Sequence, residues 1–217
     1  MKRISPTAVI FDYGNVLSQP QGLAEIESMA SILNLPVPRF RELSWRFRLA
    51  YDEGRLDPAD YWNTVATEAS RTVTQEQIAE LVELDSHSWA YPAPSLPEWA
   101  RQLKQAGHVT ALLSNMPATV REHVTRCHWF PPFDQQIFSC DVRLAKPAPE
   151  IYRHTLAALG LEPASVVFLD DRPENIRAAE GLGMHGVVFT SLEKVAAELD
   201  QRFDIAVPLA ATLDRGQ

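Results

Sequence analysis

Apolar residues along this chain follow two rhythms, and the switch between them divides it. Ala8-Val9-Ile10-Phe11 is an apolar run without polar alternation, the pattern of a strand covered on both faces in a parallel sheet. It ends in Asp12, with Gly14 two residues on. After Leu17 the spacing becomes helical. Leu23, Ile26, Met29 and Leu33 phase one helix, which Leu35-Pro36-Val37-Pro38 breaks. Phe40, Leu43, Phe47 and Ala50 phase a second, ended by Gly54. Asp57-Pro58 reads as an N-cap with proline at the first helical position. Thr74 to Gln77 reads as a capping box before Ile78, Leu81 and Val82. Trp45, Phe47, Tyr51, Tyr61 and Trp62 fall mostly at helical core spacing and are read as packing. No strand is predicted between residues 18 and 91.

From Leu96 helix and strand alternate. Strands are predicted at Val109 to Leu113, Ile137 to Ser139, Val166 to Leu169 and Gly186 to Phe189. Helices are predicted from Leu96 until Gly107 stops it, from Pro147 until Gly160, and through Ile176, Ala179 and Leu182. This alternation makes βαβ units and an α/β fold with a parallel sheet. The helical block is therefore an insertion between the first strand and the rest of the core. The last ten or so residues are weakly patterned and expected to fray.

Composition narrows the class. Apolar residues make up 46% of 217, enough for a substantial core and too many for wholesale disorder. The formal net charge of −8 argues against a nucleic-acid surface, which needs clustered Lys and Arg. Cys127 and Cys140 have no CxxC spacing, so neither a zinc site nor a disulfide framework is indicated. No apolar run approaches the ~18 residues of a membrane span. A cytoplasmic protein, monomeric or homodimeric, with no nucleic-acid or membrane partner is the expectation.

Three predicted strands end in chemistry: Asp12, then Ser114-Asn115, then Asp170-Asp171. A parallel sheet brings those tips to one edge. The carboxylates gathered there would repel, and a divalent cation such as Mg²⁺, with its preference for oxygen ligands, resolves the conflict. The Ser114 hydroxyl and the amide groups of Asn115 suit phosphate oxygens. Lys146, just before a predicted helix, is the natural cation for an anion.

Phe11-Asp12-x-Gly14-Asn15-Val16, Leu113-Ser114-Asn115, Lys146-Pro147 and Phe168-Leu169-Asp170-Asp171-x-x-x-Asn175 resemble the four ordered motifs of the haloacid dehalogenase-like hydrolases. The resemblance implies a Rossmann-like three-layer core over residues 1–17 and 95–207, an α-helical cap over 18–94, and a C-terminal tail over 208–217. It implies a hydrolase in which Asp12 attacks phosphorus to form an aspartyl phosphate. Asp12, the Gly14 carbonyl and Asp171 would hold Mg²⁺, with Asp170 supporting. Ser114, Asn115 and Lys146, with the backbone at Tyr13 and Gly14, would hold the phosphoryl group, and Asn175 would orient its neighbours. The implied activity is a Mg²⁺-dependent phosphatase of a small organic phosphate, with sugar phosphates among the candidates.

One position departs from the family pattern. Its phosphatases usually carry an acid/base Asp two residues after the nucleophile, where this chain has Gly14. General acid–base help is worth about 10²–10⁴-fold, so two alternatives stand beside the phosphatase. One is a metal-independent 2-haloacid dehalogenase; the other is a phosphate-binding protein impaired in turnover. His87 and Glu53 are the cap residues considered for the missing proton, with Tyr13 a weaker candidate.

Overall fold

The structure, a computed structural model, describes residues 5–203 and 205. Among these, strands β1 (Ala8–Phe11), β2 (Val109–Ser114), β3 (Gln135–Phe138), β4 (Val166–Asp170) and β5 (His185–Val188) form one sheet in the order β3-β2-β1-β4-β5. Every pairing is parallel. The register sets Phe11 beside Leu112 on one side and Leu169 on the other. Asp12, one residue further, donates its backbone N–H to the Leu169 carbonyl at 2.8 Å. The tips of β1, β2 and β4 are thus neighbours because β1 lies at the centre.

Successive side chains of β1 point to opposite faces, and both faces are covered. Val9 and Phe11 pack with α5 (Leu96–Gln105), α6 (Ala118–Val124) and α10 (Leu192–Arg202). Ala8 and Ile10 pack with α8 (Pro149–Leu159) and α9 (Pro173–Glu180). That double burial is why the strand reads as an unbroken apolar run. The result is a three-layer α/β core matching the expected class. The helix predicted from Pro147 begins at Pro149 instead, with Ala148 in extended backbone as its N-cap residue. Ser139 opens the short α7 (Ser139–Val142) rather than closing β3. The expected tail, 208–217, lies outside the described residues, as does most of the chain after α10.

Residues 23–88 fold as α1 (Leu23–Ile32), α2 (Val37–Asp52), α3 (Pro58–Glu68) and α4 (Gln75–Ser88) around an apolar cluster of their own. Asp57 caps α3 by accepting from the Asp60 N–H at 2.8 Å. At α4 the Thr74 hydroxyl accepts from the Gln77 N–H, and the Gln77 side chain accepts from the Thr74 N–H. Thr74→Ala is expected to cost about 1 kcal/mol, read as a lower urea midpoint at unchanged slope. Two strands of chain join this block to the core, where Ser18 bridges Pro92. No helix among the described residues is long and apolar enough to cross a membrane.

Candidate active site

Lys146 organises the sheet edge. Its ammonium lies 2.7 Å from Asp12 Oδ1, 2.7 Å from Asp170 Oδ2 and 2.9 Å from the Leu113 carbonyl. Three acceptors match its three protons, and the residue is buried. Burial opposes the ammonium, but the carboxylates of Asp12 and Asp170 outweigh it and hold its pKa above that of an ordinary lysine. Asn115 places this lysine through its backbone. The Asn115 Nδ2 donates to the Lys146 carbonyl and its Oδ1 accepts from the Lys146 N–H, both at 2.9 Å. The Asn115 side chain thus positions Lys146 with its Oδ1 and one Nδ2 proton, and the residue also lines the cavity described below.

The other carboxylates divide their work. Asp170 Oδ1 accepts from the Arg172 N–H and from Asn175 Nδ2, both at 2.9 Å. Its Oδ2 accepts from Lys146 and, at 3.0 Å, from Asn175. Asp170 is saturated by the protein. Among the described residues Asp171 is held at one oxygen only, by Asn15 Nδ2 at 2.7 Å. That bond needs the left-handed backbone at Asn15, φ 57°, a conformation asparagine tolerates better than most residues. Asn15 is a site residue the sequence reading did not single out.

Burial pushes the Asp12 carboxyl up to about 7 against the pull of Lys146. Burial likewise raises Asp171, with the Asn15 hydrogen bond opposing. Asp12, Asp170 and Asp171 place carboxylate oxygens within 4.8 Å of one another. Since Asp170 is saturated, the second oxygens of Asp12 and Asp171 are the donors left for a cation. Two hard oxygens kept close together and partly desolvated fit a small divalent ion such as Mg²⁺.

These groups floor a cavity of about 450 Å³. Ser114 and Gly14 line it with Asp12, Lys146, Asp171 and Asn175, while Trp45, Arg48, Leu49 and Asp52 of α2 and Trp89 form its far wall. Trp45 is 48% exposed, so it belongs to this wall and not to the packing expected for it. Tyr51, Tyr61 and Trp62 are buried in the helical block as anticipated. The Tyr13 hydroxyl donates to the Trp89 carbonyl at 2.7 Å, and burial drives its pKa up, so Tyr13 exchanges no proton here. Gly14 admits Trp89 closely: a Cβ on Gly14 would meet the indole ring at 3.1 Å. The ring occupies the direction an acid/base side chain at this position would take. Of the cap candidates, Glu53 pairs with Arg55 and His87 packs on His123 with ring centroids 4.5 Å apart. Neither lines the cavity.

A family model for haloacid dehalogenase-like hydrolases matches residues 6–183. The chain belongs to this family. It is 24% identical to the sesquiterpene phosphatase astK of Aspergillus oryzae over 199 residues, 89% of this chain and 95% of that one. It is 38% identical to the Flavin mononucleotide hydrolase 1 of Arabidopsis thaliana over 71 residues, 32% of this chain and only 29% of that protein's length. A haloacid dehalogenase-family enzyme of Bacteroides thetaiotaomicron, solved with magnesium and inorganic phosphate, superposes with a TM-score of 0.69 at 20% identity, covering 86% of this chain and 94% of that one. The L-2-haloacid dehalogenase of Xanthobacter autotrophicus superposes with a TM-score of 0.64 at 19% identity, covering 94% and 85%. Likeness at these identities speaks to the fold. Hydrolase activity follows from membership of the family, with phosphatases and dehalogenases both among the relatives.

Proposed function

We propose that this haloacid dehalogenase-like hydrolase is a Mg²⁺-dependent phosphatase of a small organic phosphate, with sugar phosphates among the candidates. The observation that carries the reading is the pairing of an Asp12 oxygen beside Lys146 with a half-free Asp171 across from it. A dehalogenase attacks carbon without a metal and would leave Asp171 idle. In phosphoryl transfer both carboxylates have work.

Ser114 holds one phosphoryl oxygen and Lys146 takes another by exchanging one of its present acceptors for it, so the phosphorus faces Asp12. Lys146 also draws off charge from the Asp12 carboxylate, whose attack on phosphorus yields an aspartyl phosphate. Asp170, gripped by Asn175 and the Arg172 N–H, keeps Lys146 aimed at the reacting centre. Asp12, Asp171 and the Gly14 carbonyl would hold Mg²⁺, which when bound neutralises charge building on the phosphoryl group. Trp45, Leu49 and Trp89 exclude water and offer apolar surface to the alcohol part of the ester.

A panel of phosphate esters tests this. Phosphate release is expected with Mg²⁺, falling to background with EDTA and returning when Mg²⁺ is restored in excess. Halide release from a 2-haloacid in EDTA would overturn the reading. Gly14 favours a second reading, a phosphate-binding protein; Mg²⁺-dependent phosphate binding without product from any ester would establish it instead.

A further inference from the structure

A phosphatase with glycine at position 14 and an indole packed against it must find its proton elsewhere. The cavity offers one ionisable group from the cap with an open oxygen. Asp52, at the last turn of α2, is buried and lines the same cavity as Asp12. Its Oδ1 accepts from Arg48 Nε at 2.8 Å, while its Oδ2 takes no hydrogen bond from the described residues, and the residue lines the cavity. Arg48 does not need it. The Arg48 Nη1 already donates to both oxygens of Asp85, at 2.8 and 2.9 Å. Two buried carboxylates therefore share one guanidinium, and Asp52 is the one that reaches the ligand space.

The position of Asp52 is fixed to the core. Ser139 Oγ donates to the Asp52 carbonyl and accepts from the Met116 N–H at 3.0 Å. One hydroxyl thus ties the cap residue to the loop that begins at Ser114, the group facing the phosphoryl oxygens. At about 450 Å³ the cavity is at the small end of ligand pockets, roughly 300–1,000 Å³. An ester seated on Asp12 therefore has its alcohol against the α2 wall.

We propose that Asp52 is the general acid and base of this reaction, performing the proton exchange that Gly14 cannot. The assignment rests on the phosphatase reading above. In the first step Asp12 forms a bond to phosphorus as the phosphorus–ester oxygen bond breaks. The ester oxygen keeps the electron pair and takes the proton of the Asp52 carboxyl, leaving as the alcohol. In the second, the Asp52 carboxylate takes a proton from water as the water oxygen bonds to phosphorus. The phosphorus–Asp12 bond breaks, returning phosphate, the Asp12 carboxylate and a protonated Asp52. The electrostatics suit the role: burial raises the Asp52 carboxyl to about 6 against the attraction of Arg48, with Asp85 from α4 and the adjacent Glu53 adding to the rise.

The test compares two esters with Asp52→Asn. With p-nitrophenyl phosphate the leaving group departs without a proton; with the fastest alkyl phosphate of the panel it needs one. The expected loss in kcat/KM is about 10²–10⁴-fold on the alkyl ester and at most a few-fold on the aryl ester. A burst of one nitrophenol per enzyme should precede slow turnover, since the second step lacks its base. Asp85→Asn, which disturbs the same guanidinium from outside the cavity, should change both esters in parallel. Wild type gives a check that needs no variant. Its alkyl-to-aryl ratio of kcat/KM should fall as pH rises through the Asp52 titration, from about pH 5 to 8. Equal losses on both esters with no burst, or a flat ratio against pH, would reduce Asp52 to packing and overturn the assignment alone. A wild-type chain inactive on every ester would overturn the phosphatase reading and this assignment with it.

Discussion

Asp12→Asn is expected to reduce phosphate release to background, a loss on the order of 10⁴-fold or more. The carboxamide keeps the shape of the side chain and its contact with Lys146, but its nitrogen and carbonyl oxygen cannot form the acyl phosphate. The change should leave the fold intact. Burial already raises the Asp12 carboxyl to about 7, so a neutral group in its place removes a charge the interior disfavours. Matched thermal melts of variant and wild type, with Mg²⁺ assays alongside, separate the two effects. An Asp12→Asn enzyme that kept a tenth of the activity would remove Asp12 as nucleophile. Its neighbour Asp170 could not take over, because Lys146, Asn175 and the Arg172 N–H already engage both of its oxygens.

Lys146→Met is expected to destabilise the core by about 3–5 kcal/mol, the cost of removing one partner from a buried ion pair. Its side chain is 2% exposed, against 10% for Asp12 and 0% for Asp170, so water cannot replace the ammonium. The variant leaves two carboxylates facing each other and orphans the Leu113 carbonyl. Urea denaturation should show the drop in midpoint at unchanged slope, and activity should fall with it. Adding Asp170→Asn to Lys146→Met should recover part of the stability, because one of the unpaired charges is gone, without recovering activity. A loss below about 1 kcal/mol would mean that the carboxylates are solvated and the pairing is worth no more than a surface salt bridge.

Much of this site was legible because the chemistry sits where apolar runs stop. A strand covered on both faces must be continuously apolar, so its end is sharp, and Asp12, Ser114 and Asp170 mark three such ends. Which strands are neighbours was not legible, since the pattern of one strand carries no record of its partner. The cap was misread in one respect. Phasing α2 on Phe40, Leu43, Phe47 and Ala50 put its charged residues on the solvent side. The buried face instead carries Phe40, Leu43, Ser44, Arg48, Tyr51 and Asp52. Buried Arg and Asp look like surface residues to any reading by polarity; only the i,i+4 spacing of Arg48 and Asp52 hinted that they meet. Glu53, the carboxylate considered for the missing proton, was one residue too far along the helix. Helix α10 is absent from the predicted elements, although Leu192, Val195, Ala196 and Leu199 are buried at helical spacing and Ser191 caps it.

The central place of β1 has a consequence for how the protein is made. Ala8–Phe11 is translated before both of its neighbours, β2 and β4, and the second of these ends only at Asp170. The helices of residues 23–88 satisfy one another locally, and such short-range contacts form first. The growing chain thus completes its insert while the oldest strand is still without hydrogen-bonded neighbours, and the nucleophile is the first part of the machinery translated and among the last to find its place.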